Sequence, residues 1–165
     1  MAKVKNRHRL KRKQVLILLG ELHQALGEDF FDEDATVDVG FLEGREVVFV
    51  DGEINYIIDP QEGPYYTLDG VYRFKPQSHG VTVDMGAVKF VTNGADIMAP
   101  GIIDADPAIK ENDIVWICDE KNKRALAIGK ALMDGPEMVS GSKGKAIRNI
   151  HHVGDHLWEL LKGLE

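Results

Sequence analysis

Thr92-Asn93-Gly94-Ala95-Asp96-Ile97-Met98-Ala99-Pro100-Gly101-Ile102-Ile103 compresses a turn, an apolar strand and a second glycine turn into a dozen residues. Just upstream, Met85 to Val91 has helical spacing. Gly94 stands where that helix must hand over to a strand, and a residue free to take positive φ ends a helix cleanly. Pro100-Gly101 then breaks the strand. Met98 falls on a short exposed segment between the two turns, where it could offer an apolar contact to a terminal base but reads as core ahead of contact. Backbone N–H groups near Gly94 and Gly101 have no ladder partner in the pattern, an arrangement suited to a phosphate-sugar backbone. The stretch specifies backbone geometry more than side-chain chemistry.

Working outward, the C-terminal half is patterned mainly as strands. Val81 to Asp84 precedes the short helix and Ile97 to Ala99 follows it. Asp113 to Asp119 and Arg124 to Leu132 flank the turn Glu120 to Lys123, which predicts a hairpin projecting Lys121, Lys123 and Arg124. Ala146 to His151 reads as another strand and Leu157 to Leu161 as the last element. Five or six short strands with one small helix close into a pseudobarrel, which removes exposed sheet edges.

Toward the N-terminus, Lys75-Pro76-Gln77-Ser78-His79-Gly80 has the character of a linker. Beyond it, Leu10, Val15, Leu18, Leu19, Leu22 and Leu26 recur three or four apart, which predicts an amphipathic helix capped by Gly27. Val37 to Leu42 and Glu46 to Ile58 follow, the second containing Asp51-Gly52, a strong hairpin signal. The tract Gln61 to Arg73 carries Tyr65, Tyr66 and Tyr72 around a second turn at Asp69-Gly70. The expectation is an α+β fold: a small α+β domain over residues 1–78, then a mainly-β domain over residues 79–165.

Charge separates the halves further. Residues 1–13 carry seven cations and no acid, residues 14–78 hold three basic side chains against fourteen acidic ones, and residues 121–148 return to a local +5 within a chain of net charge -7. The basic start predicts a loosely ordered arm or the polar beginning of the first helix. The acidic tract is unsuited to lying along RNA. The later cluster, with Lys121, Lys123, Arg124, Lys130, Lys143, Lys145 and Arg148, can attract a polyanion despite the net charge, because screening confines distant acids to a Debye length of about 8 Å.

Several classes of function are disfavoured. No apolar run reaches the length of a bilayer span, and the apolar stretch Val15 to Leu19 is too short for a secretory signal and is followed by Glu21, His23 and Gln24. A cytoplasmic location without membrane association is therefore expected. Cys118 is the single cysteine and lies in an apolar strand. His151, His152 and His156 surround a turn, Val153-Gly154-Asp155, so ordinary histidines are a better reading than a metal site. Ser140 to Lys145 lacks phosphate-loop spacing, since Ala146 occupies the Ser/Thr position. No Ser/His/Asp order stands out, and Asp104 and Asp106 read as a turn with Pro107 ahead of a cation site. No enzyme activity and no cofactor are expected.

Asn93-Gly94-Ala95-Asp96-Ile97-Met98-Ala99-Pro100-Gly101-Ile102 resembles the signature of the PUA domain, an RNA-binding module. Gly144 to Leu160, reading GKAIRNIHHVGDHLWEL, is similar to the closing segment of the malignant T-cell amplified sequence family, in which a PUA domain follows a family-specific N-terminal domain. The lack of long insertions suits an archaeal-type member. The resemblance implies a translation factor that binds transfer RNA at its acceptor stem or ribosomal RNA. It places the contact at Lys89, Asn93, Gly94, Ala95, Asp96, Met98, Pro100 and Gly101, with Lys89, Arg124, Lys143, Lys145 and Arg148 neutralising phosphates. The glycines and Pro100 also suffice simply to build the turns. A ribosomal or initiation-factor partner is implied for the acidic N-terminal domain. The alternative is an RNA-recognition subunit acting in trans with a transfer-RNA modifying enzyme, of the archaeosine transglycosylase or pseudouridine synthase type.

Overall fold

A computed structural model describes residues 2–141 and 143–164. The contacts divide the chain into two compact units, Met1–Lys75 together with Leu160–Glu165, and Pro76–Glu159.

The first unit is an antiparallel meander in the order β1-β2-β3-β4-β5, formed by Lys5–Arg9, Val37–Leu42, Arg45–Val50, Glu53–Asp59 and Gly63–Tyr66. Its hairpin turns follow from sequence. Val50 pairs with Glu53, so Asp51 and Gly52 make a two-residue loop, and their φ values of 50° and 90° are those of the primed turn that matches strand twist. Helix α1 (Arg12–Leu26) buries Val15, Leu18, Leu22 and Leu26, and Gly27 ends it in the left-handed region, its N–H donating to His23 O. Tyr56 and Tyr66, paired across β4 and β5, join Phe30, Phe31 and Phe74 in an aromatic cluster, and burial pushes both phenols up.

Two expectations for this unit are corrected. Asp69-Gly70 is no turn but lies inside helix α2 (Leu68–Phe74), whose first turn is capped by Thr67 Oγ1 accepting from Gly70 N at 3.0 Å. Glycine is needed there because a Cβ would fall 2.2 Å from Asn55 O. Nor is the basic start a loose arm: only Arg12 and Lys13 form the polar start of α1, and Lys5–Arg9 is strand β1, paired with β2. The mutual repulsion of its cations is answered by Asp38, which takes Arg7 Nε at 2.9 Å and Arg9 Nε at 2.5 Å, while the Arg7 guanidinium also lies 3.7 Å over the Phe49 ring. The hydrogen bond from Arg9, reinforced by Arg7 against the cost of burial, holds the Asp38 carboxyl below the usual carboxylate range.

The second unit is a mainly-β sheet in the order β7-β11-β10-β9-β6-β8, curled into a half-barrel. Its strands are Gly80–Val83 (β6), Ile97–Met98 (β7), Ile102–Ala105 (β8), Ile114–Asp119 (β9), Ala125–Ala131 (β10) and Lys145–His152 (β11). The core gathers Val81, Val83, Val91, Ile97, Val115, Ile117, Leu126 and Ile147. Helix α3 (Met85–Val91) bridges β6 and β7, and a single 3-10 turn, Ala99–Gly101, bridges β7 and β8. Helix α4 (Gly135–Met138) joins β10 to β11. Leu157 falls in a helix, α5 (His156–Gly163), started by Asp155, whose Oδ1 accepts from Trp158 N. Among the described residues no helix is long and apolar enough to cross a membrane.

Candidate nucleic-acid interface

Helix α3, strand β7 and the 3-10 turn enclose a groove of about 650 Å³. Asp84 caps α3, its Oδ1 accepting from Ala87 N at 2.8 Å, and its own N–H donates to Gly101 O at 2.9 Å, which draws the 3-10 turn against the helix. The approach is close: a Cβ on Gly101 would sit 3.3 Å from Ala87 Cβ. Buried Val91 and Ile97 form the floor, while Phe90 and Met98 stand 56% and 46% exposed at its sides. Single exposed apolar side chains are ordinary, but two of them on the sides of one groove with an apolar floor form a patch of the kind that marks a contact surface.

The Thr92-to-Ile97 segment is fixed from within. Gly94 has φ 91°, its N–H donates to Val91 O, and Ala95 N donates to Phe90 O. These amides are therefore occupied, and the expected free backbone cradle for phosphate at Gly94 is not what this turn offers. The positive φ favours glycine, and a Cβ on Gly94 would also come 3.0 Å from His152 Nε2, a contact the ring would have to relieve by a few tenths of an ångström. Asn149 on β11 donates from Nδ2 to Val91 O and Ala95 O, and Asn149 N donates to Asp96 Oδ1 at 3.0 Å.

The groove brings together Ala95, Asp96, Met98, Pro100, Gly101 and Lys145 from the residues singled out in the sequence. Met98 is exposed, as its segment predicts, and not core, because β7 is an edge strand only two residues long and turns Ile97 inward. Asp96 Oδ2 pairs with Lys145 Nζ at 3.2 Å, so one acid and one base partly neutralise each other in the groove. Lys89 Nζ lies 5.2 Å from the Phe90 ring centroid, and Asn93 is exposed at the end of α3. Lys143 is exposed in the loop before β11. Arg148, half-buried on β11 opposite Lys130, does not line the groove.

Arg124 belongs to the β9–β10 turn. That turn is organised by Asp119, whose carboxylate accepts from Lys121 N (2.9 Å), Asn122 N (2.6 Å) and Arg124 N (3.0 Å), with Arg124 Nε at 3.4 Å. Burial opposes ionisation of Asp119, yet these donors hold its carboxyl below the usual range. The adjacent Glu120 anchors the turn to α3, donating from N to Val83 O and accepting from Met85 N at Oε2, 3.0 Å each. Lys121, Lys123 and Arg124 are thus held exposed on a turn anchored at the start of α3.

Sequence reasoning missed Phe90, Asn149 and His152. Phe90 shares a helix face with Ala87, three residues before it, and lines the same groove beside buried Val91 while staying half in water. The other two act across the sheet, and no local pattern marks them. His151, also on β11, is buried, and its Nδ1–H donates to Asp155 at 2.9 Å. Opposed by burial but held by His151 and by the Trp158 and His152 amides, the Asp155 carboxyl lies below the usual range. Among the described residues no group of three or more His, Cys, Asp or Glu side chains is placed to hold a metal ion.

Residues 79–153 match the family model of the PUA domain. An uncharacterized protein of Methanocaldococcus jannaschii is 39% identical, over 94% of this chain and 96% of its own. Malignant T-cell-amplified sequence 1-A of Xenopus laevis is 30% identical, over 90% of this chain and 84% of its own. Translation machinery-associated protein 20 of Saccharomyces cerevisiae is 40% identical over 66% of this chain, which spans 63% of that protein. The crystal structure of a hypothetical protein from Pyrococcus horikoshii superposes with a TM-score of 0.82 at 36% identity, over 94% of this chain and 99% of that one. With the glycine turn, the groove and the closing segment all in place, the chain belongs to the malignant T-cell-amplified sequence family and carries that family's PUA domain.

Proposed function

We propose that the protein is a non-enzymatic RNA-binding factor of translation, acting in the cytoplasm and holding transfer RNA or ribosomal RNA along the α3–β7 face of its PUA domain. The observation that carries this reading is the pair of half-exposed side chains, Phe90 and Met98, flanking a groove beside Lys89 and Lys145. An unstacked base can lie on an aromatic face, and a nearby lysine then meets its phosphate. Lys143, Lys121, Lys123 and Arg124 extend the cationic surface, and Arg148 contributes from the neighbouring strand. The name of the yeast relative supports the translational setting. The acidic tract over residues 14–78 is assigned to a ribosomal or initiation-factor protein.

Fluorescence anisotropy with a labelled transfer-RNA transcript tests the reading. Phe90→Ala and Met98→Ala are each expected to weaken binding about tenfold, the scale of one lost base stack, with melting unchanged because both side chains already face water. Lys143→Glu combined with Lys145→Glu is expected to reduce the slope of log affinity against log salt by about two. Binding that survives all four substitutions would sink the assignment. Affinity capture that recovers a transfer-RNA modifying enzyme and no ribosomal component would overturn the translational part.

A further inference from the structure

The turn at the head of the groove is held by one side chain from another strand. Asn149 Nδ2 donates to Val91 O at 3.1 Å and to Ala95 O at 3.0 Å, and the backbone N–H of the same residue donates to Asp96 Oδ1 at 3.0 Å. Three bonds from one residue thus span the end of α3 and the two residues that follow Gly94. The Asn149 Oδ1 is buried and meets no donor. Leaving an acceptor buried and unmet costs stability, so the amide is there for its two N–H groups. Aspartate has the same shape and, when ionised, offers neither of them.

Resting on the reading of the groove as an RNA surface, we propose that Asn149 is a positioning residue for RNA binding. It does not touch the RNA. It sets the path of Gly94 to Asp96, and through that path the placing of Ala95 and Met98 along the groove. Without the clamp, α3 still ends at Val91 through its own Gly94 and Ala95 amides. The turn then samples several paths, and RNA binding must first select one of them.

The test uses the full chain and a labelled transfer-RNA transcript, with the parent measured first. Asn149→Ala and Asn149→Asp are each expected to weaken binding about tenfold in protein that remains folded, with the salt slope unchanged because no phosphate contact is lost. As pH is lowered through the carboxylate range, Asn149→Asp regains an O–H donor and with it part of the lost affinity relative to the parent, whereas Asn149→Ala does not. Should Asn149→Ala fail to fold, Asn149→Ser, which keeps one donor, is expected to fold and to bind with intermediate affinity. Folded variants that bind like the parent would overturn the proposal. A reduced salt slope would overturn it too, by making the residue a direct contact. A parent that binds no RNA removes the RNA reading itself, whereas a binding parent with indifferent variants removes only the role of Asn149.

Discussion

At the scale of single residues, a carboxylate is the least expected group in a groove assigned to a polyanion, yet Asp96 lines it. Its two oxygens are divided between Asn149 N and Lys145 Nζ. Asp96→Asn keeps an acceptor for Asn149 and releases the lysine. RNA affinity is expected to rise about threefold to tenfold as a like charge leaves the groove, with the salt slope unchanged because Lys145 already counts among the phosphate contacts, read from anisotropy across a potassium chloride series. A drop in affinity would instead make the Asp96 carboxylate an acceptor for an RNA donor. Gly94 shows what a sequence can and cannot reveal at this scale. Its positive φ follows from the helix that must end before it, but the nearness of His152, far along the chain, adds a constraint that no local pattern contains. Even an asparagine, which tolerates the left-handed region, would there press on the histidine ring. Substituting Gly94 therefore disturbs the His152 ring as well as the turn.

At the scale of elements, the β9–β10 hairpin was legible because two apolar runs flank a polar turn, and its anchoring by Asp119 and Glu120 was not. Asp119→Asn is expected to lower stability by about 1–3 kcal/mol near neutral pH, since it weakens charge-assisted bonds to a buried carboxylate. The sign of the pH effect follows from a folded-state pKa held below the unfolded value. Asp119 then contributes fully above the ordinary carboxylate range, and the contribution fades as pH falls through that range toward the lower folded value. Urea denaturation at several pH values should show the parent losing its advantage over Asp119→Asn in acid. An advantage that persists unchanged to low pH would exclude the charge as its source. Strand β1 and helix α2 were misread for related reasons. A run of cations looks solvated until Asp38 is brought across the sheet to meet it, and Asp-Gly looks like a turn until Asn55 O requires the missing Cβ. Both causes are tertiary, so local propensity pointed elsewhere.

At the scale of the molecule, net charge and local charge oppose each other. The chain carries -7 overall, with a local +5 over residues 121–148. At about 0.15 M salt the Debye length is near 8 Å and an RNA senses mainly the nearby cations; at about 0.01 M it is near 30 Å and the acids are sensed as well. The plot of log affinity against log salt is therefore expected to flatten at the low-salt end, which a titration of the parent would reveal. A straight line through that range would mean that the acids stay out of reach. The separation of acid and base into different stretches was plain in the sequence. The return of Leu160 to Leu164 to the first unit was not, because an apolar helix pattern names no partner. That return bears on how the protein answers to force. Residues 2 and 164 belong to the same unit, so tension applied between them is carried first by the contacts of that unit. The PUA strands are shielded only until residues 160–164 come away from the first unit; a translocating machine that pulls from the C-terminal side would then enter the PUA domain directly, whereas one that pulls from the N-terminal side would first have to unravel the first unit.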